Sequence, residues 1–156
     1  VKYFYLICFL ILFQVSCYAG DLREDAKISF IDSVGKKSDL ISVEIAKTEP
    51  ERSKGLMYRR ELRDKTGMFF IMPDDAIQSF WMKNTYIPLD IIFIKKDGVV
   101  DSILRSVPPL TLTSRKSKGI SKYVLELSGG SAEKLGVIEG SKIEVVDDRA
   151  SLLHFP

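Results

Sequence analysis

The segment "IPLDIIFIKKDGVVDSILRSV" (residues 87–107) limits the fold more than any other part of the chain. Two strand-like runs flank Asp97-Gly98, a pair that favours a tight type I′ hairpin turn. A two-residue turn pairs Lys96 with Val99. It then sets Ile92 opposite Ile103 and Asp90 opposite Arg105. Along the first run, Leu89, Ile91 and Phe93 share one face, and Asp90, Ile92 and Ile94 share the other. Both faces are apolar, so this is a central strand covered on two sides. A carboxylate taken from water there is costly unless it is paired or hydrogen-bonded. The register supplies Arg105, so Asp90 and Arg105 are expected to form a structural cross-strand ion pair, a kind of contact that contributes about 0.2–1 kcal/mol. The competing reading of Asp90 is a catalytic acid.

Further runs share this character. "KISFID" (27–32) and "LISVEIA" (40–46) bracket a turn-rich segment containing Ser33 and Gly35. In the second run, Ile41, Val43 and Ile45 share one face. "GMFFIM" (67–72) is a buried strand that "PDD" breaks, and "SKYVLEL" (121–127) and "SKIEVV" (141–146) complete the set. Helices are brief. Thr48 with Glu51 three residues on makes a capping box, Pro50 suits a first turn, and Gly55 ends it. "SGGSAEKLG" predicts one or two turns with Ser131 as cap and Gly136 as stop. Many short strands at regular spacing predict a mainly β fold with one or two short helices. The expected architecture is a compact antiparallel β-sandwich or partly closed barrel, jelly-roll-like, over residues 28–147.

The candidate site lies just upstream of the hairpin. In "FWMKNT" (80–85), alternation sets Trp81, Lys83 and Thr85 on one face and Phe80, Met82 and Asn84 on the other. An indole beside an ammonium and a hydroxyl suits a small molecule or glycan. The plainer reading is a core tryptophan with a lysine reaching outward. Asn84 and Thr85 are expected to bond local backbone at a turn. Arg59 and Arg60 either bond the last carbonyls of the short helix or bind an anion. Glu126 stands opposite the Tyr123/Leu125/Leu127 face and is expected to be solvated. Met57, Met68, Met72 and Met82 fall close together, and clustered thioethers suit Cu(I). Each nonetheless lies in an apolar context where methionine fills gaps. No other metal or cofactor is expected.

The ends bear on compartment. Lys2, an apolar run over residues 3–15 and the small-residue site "CYA" ending at Ala19 have the form of a secretory signal peptide. The run is short of the about 20 apolar residues that cross a bilayer. Residues 20–27 make a polar leader and residues 148–156 a tail. Export to the periplasm or cell envelope is therefore expected. "QVSC" offers lipidation at Cys17 as the lesser alternative. Cleavage after Ala19 removes Cys8 and Cys17, both of the chain's cysteines, and with them disulfides and thiol chemistry. The single histidine, His154, lies in the tail, which excludes a multi-histidine zinc site and argues against a serine triad. Loss of Lys2 leaves 22 basic residues against 21 acidic ones. That balance disfavours nucleic acid, whose partners carry strongly basic surfaces.

Taken in order, "GLMYR", "GMFF", "FWMKNT", "IPLDIIFI", "YVLEL" and "GVIEGSKIEV" resemble the bacterial and archaeal family called domain of unknown function 192. The resemblance covers residues 41–146. It implies a compact, mainly β domain, often exported, and carries no assigned activity. Ser141 stands where an aspartate is common, and "PPLTLTSRKSKGIS" replaces a variable loop. The function expected is a non-catalytic envelope domain binding a small molecule, glycan or protein through Trp81, Lys83, Asn84, Thr85 and Arg59. The alternatives are a hydrolase or lyase using Lys83 with Asp90 and Glu126, and Cu(I) binding by the methionines.

Overall fold

The described residues, 22–149, 151–153 and 155 of a computed structural model, form nine strands and two short helices. The expected signal peptide, both cysteines and His154 lie outside them. In chain order the elements are β1 (Ala26–Ile31), β2 (Ile41–Ala46), α1 (Glu49–Lys54), β3 (Thr66–Ala76), β4 (Ser79–Phe80), β5 (Leu89–Ile94), β6 (Val100–Val107), β7 (Arg115–Lys116), β8 (Ser121–Ser128), α2 (Ser131–Lys134) and β9 (Lys142–Asp148). Seven strands make one sheet in the order β6-β5-β8-β3-β2-β1-β9, and β4 pairs with β7 apart from it. The sheet curls until its edges touch. Val99 bridges Lys142, the Val100 N–H donates to Ser141 O at 2.8 Å, and the Ile143 N–H donates to Gly98 O at 2.9 Å. The fold is thus the expected mainly β, partly closed barrel.

One strand pair departs from antiparallel order. β2 and β3 run parallel, from Ser42 against Thr66 to Ala46 against Phe70. A parallel neighbour needs a crossover, and residues 47–65 with α1 provide it. That helix has the predicted capping box and ends at Gly55. "PDD" does not end β3. It interrupts the ladder to β8 between Ile71 and Ala76, where Pro73 has no N–H to give.

Both faces of the sheet are buried. Ile28, Phe30, Ile41, Val43, Ile45, Phe69, Ile92, Ile94 and Leu125 pack on one side. Ala46, Met68, Phe70, Leu89, Ile91, Phe93 and Val124 pack on the other, beneath Leu56 and Met82. Strand β3 approaches β8 closely enough that a Cβ on Gly67 would lie 2.5 Å from Glu126 O. Only glycine fits there.

The hairpin corrects the expected turn. Its loop has three residues, 96–98, closed by the Lys95 N–H to Val99 O at 2.8 Å, with Gly98 left-handed at φ 83°. This is the longer hairpin form that ends in a bulge. A second irregularity near Ile94 restores the expected pairing of Ile92 with Ile103, and a third follows between Leu89 and Ile91.

That last bulge removes the expected ion pair. Asp90 is fully buried, and backbone N–H groups meet its carboxylate: Ser106 at 2.7 Å, Gly130 at 3.0 Å and Ala132 at 2.8 Å. Arg105 turns outward and donates to Val137 O at 3.1 Å. Ser131 is not the cap of α2 either. Gly130 is the N-cap residue and offers no side chain. Asp90 reaches across from β5 to fill that role, because a carboxylate satisfies free N–H groups at a helix start.

Asp90→Ala, which leaves three N–H groups without partners, is expected to lower unfolding free energy by about 3 kcal/mol or more in urea denaturation. Arg105→Ala is expected to cost about 1 kcal/mol or less. Equal losses would restore the ion pair.

Candidate functional site

A half-open cleft of about 190 Å³ lies beside the covered face of the sheet, between the end of α1 and the 79–85 segment. Its walls come from distant parts of the chain: Leu56 and Met57, Phe70 of β3, Phe80 of β4, Trp81, Lys83 and Thr85, with Glu126 of β8. Arg52 and Lys54 add charge at the α1 side.

The local backbone explains why these groups meet. Gly55 caps α1 at φ 47°, and a Cβ there would come within 3.3 Å of Phe70 Cζ. The chain therefore reverses directly over the ring. Tyr58 and Asn84 are both left-handed, at φ 67° and 53°, a cost that surrounding contacts must hold. They hold each other. The Tyr58 N–H donates to Asn84 O at 2.8 Å, and Asn84 Nδ2 donates to Tyr58 Oη at 2.9 Å. This lock ties the α1 side of the cleft to the 79–85 side.

The aromatic wall is built from edge contacts. Phe80 meets Phe70 at 5.2 Å and Phe93 at 6.1 Å between ring centroids, the T-shaped arrangement that ring quadrupoles favour. Strand structure stops at Phe80, so the alternation drawn through Trp81 to Lys83 is not a strand, and the turn expected at Asn84 and Thr85 begins earlier: Thr85 N–H donates to Met82 O at 3.2 Å. Met82 is wholly buried, whereas Trp81 is 50% exposed. Lys83 Nζ stands 5.2 Å from the centre of the indole, within reach of a cation–π attraction.

Glu126 is the unusual group. It is 5% exposed, and the expectation that it is solvated is overturned. Met68 on β3 and Ile91 on β5 flank it in register. Among the described residues no hydrogen bond or ion pair reaches its carboxyl. Burial alone pushes that carboxyl up to about 8, so it is a neutral acid at neutral pH.

The predicted site residues divide. Trp81, Lys83 and Thr85 line the cleft. Asn84 supports it through Tyr58 rather than facing it, and only Thr85 bonds local backbone as expected, to Lys83 O at 3.2 Å. Arg59 pairs with Glu44 at 3.2 Å, outside the lining, and Arg60 stands 5.3 Å over the Tyr86 ring. Asp90 and Glu126 point to opposite faces of the sheet, Asp90 beside Ile92 and Glu126 beside Val124. They cannot act on one bond, which removes the paired-carboxylate hydrolase. Met68, Met72 and Met82 belong to the packed apolar cluster, and Met57 lines the cleft. The sequence reasoning missed Phe70, Phe80 and Arg52 as lining groups. The burial of Glu126 had only a weak sequence signal, Val124 on its own face, because the neighbours Met68 and Ile91 come from the pairing of β8 with β3 and β5.

Comparison with known proteins agrees with this architecture. A family model described as "Uncharacterized ACR" matches residues 31–145, a stretch that contains every wall of the cleft. A crystal structure from Sinorhizobium meliloti 1021, of a protein whose name suggests a transcription regulator, is 34% identical with a TM-score of 0.74. It covers 81% of this chain and 98% of its own. A protein of unknown function from Novosphingobium aromaticivorans is 38% identical with a TM-score of 0.71, over 76% and 83%. No curated protein matches this chain.

The raised Glu126 carboxyl fixes the sign of a pH effect. The folded chain holds the proton up to about pH 8, while an unfolded one releases it near the ordinary value of 4.5. Stability from this group therefore falls as pH rises from about 4.5 to about 8, by on the order of 5 kcal/mol. Glu126→Gln is expected to raise the melting temperature clearly at pH 8 and little at pH 4. An equal change at both would contradict the burial.

Proposed function

The chain belongs to the family of domain of unknown function 192, and from that premise we propose that it is a binding domain whose cleft holds a small molecule. The observation that carries this reading is the unpartnered Glu126 carboxyl at an aromatic-walled cleft. The carboxyl has no hydrogen-bond partner among the described residues and meets only the cleft, so a ligand that replaces cleft water there supplies the partner that the fold does not. The rim adds a half-exposed indole and an adjacent ammonium, groups that hold flat or anionic ligands. Among the described residues no second carboxylate lines the cleft with Glu126, which favours binding over acid–base chemistry on a glycoside.

Export belongs to the same reading. The basic start, the apolar run over residues 3–15 and "CYA" support a domain released into the periplasm or envelope. One relative's name suggests transcription regulation, but the near balance of 22 basic and 21 acidic residues after Ala19 supplies little of the charge that DNA binding requires.

Trp81 is the only tryptophan, so intrinsic fluorescence reports on the cleft directly. Titration with the small-molecule fraction of a cell-envelope extract is expected to give a saturable change, weakened several-fold in Lys83→Met. An unchanged spectrum across all fractions would overturn the proposal.

A further inference from the structure

The chemistry of the cleft restricts what it can hold. Its volume, about 190 Å³, compares with the cavity of about 150 Å³ that accepts one benzene ring. One ring or a short chain fits, with a polar group at each end. The inner end meets Glu126, which is more than nine-tenths buried. An apolar group placed there would displace cleft water from the carboxyl and leave it without a partner. The ligand must therefore bring a hydrogen-bonding partner.

Charge decides which partner. Arg52, Lys54 and Lys83 also line the cleft, Arg52 with its guanidinium on Lys47 O and Ile71 O. On the sheet the flanking groups, Met68 and Ile91, are uncharged. The next acid on that face is Glu44, beyond Met68, and it is held by Arg59 at 3.2 Å and Arg23 at 3.6 Å. The surroundings are thus cationic, and a cationic ligand meets repulsion on entry. A neutral oxygen acceptor can take the proton that Glu126 offers, while a negative group finds its counter-charge at the rim.

We infer that the cleft takes a small elongated organic anion, which brings a carbonyl or hydroxyl oxygen to the Glu126 carboxyl and keeps its negative group beside Lys83. This rests on reading the cleft as a small-molecule site. Binding needs the protonated acid. Affinity is accordingly flat with respect to this group below about pH 8 and falls about tenfold per pH unit above it.

Four related probes test the inference through Trp81 fluorescence and calorimetry, at concentrations to about 10 mM, where fragments of this size saturate. The first, 4-acetylbenzoate, has a ketone at one end and a carboxylate at the other. The second, 4-ethylbenzoate, keeps the shape without the acceptor and is expected to bind about tenfold or more weakly. The third, 4-acetylbenzylamine, replaces the carboxylate by an ammonium group and is expected to bind weakly for want of the rim attraction. The fourth, 4-(aminomethyl)benzoate, offers an ammonium group to Glu126 and is expected to bind less well than the first. In Glu126→Gln the side-chain amide still donates, so the loss of 4-acetylbenzoate affinity above pH 8 should disappear. Equal binding of the ethyl analogue, or tighter binding of either amine with proton release, would overturn the inference while leaving the small-molecule reading intact. Failure of 4-acetylbenzoate to bind would also overturn it, and the extract titration then judges the broader reading separately.

Discussion

Strands β5 and β8 are covered by packed side chains on both faces, so any acid they carry loses its water. A carboxyl in that position either collects donors or keeps its proton. The chain uses each solution once. Asp90 collects three backbone N–H groups and thereby joins β5, the β6 bulge and the start of α2. Glu126, on the adjacent strand and the opposite face, collects none and remains a neutral acid. The first acid builds structure. The second lowers stability at neutral pH and faces a cleft, a combination typical of groups retained for function.

The cleft depends on the fold through backbone more than through side-chain packing. Gly67 brings β3 against β8 at the level of Glu126, and Gly55 reverses the chain over Phe70. The lock between Tyr58 and Asn84 then fixes the distance between the two walls. Each of these positions lies within one of the short runs that carry the resemblance, inside the matched residues 31–145. The motifs "GLMYR", "GMFF", "FWMKNT" and "YVLEL" are far apart in sequence and adjacent in space, since β8 pairs with β3 and the two turns bond each other.

Strand content and both helices were legible because alternation and turn residues are local signals, whereas the expected pairing of Ile92 with Ile103 holds only because an irregularity near Ile94 offsets the longer turn. The parallel pair β2–β3 was not, because it depends on how residues 47–65 cross the sheet. Asp90 was correctly identified as a buried acid needing partners, but its partners are backbone groups that no side-chain pattern reveals. Bulges displaced Arg105, and bulges are invisible to a register count. Trp81 and Lys83 were recognised from residue type alone. Glu126 was misjudged because its face was weighed within its own strand. Its surroundings are set by β3 and β5, and only the sheet order brings Met68 and Ile91 beside it.

The ligand chemistry inferred for the cleft requires that Glu126 keep its proton at neutral pH. Carbon-13 NMR of the side-chain carboxyl, followed from pH 3 to pH 10 in the folded protein, measures this directly. The account predicts a midpoint at about 8, lost from the spectrum of Glu126→Gln. A midpoint in the ordinary carboxylate range near 4.5 would show that water or an unrecognised donor reaches the group, and would contradict the account.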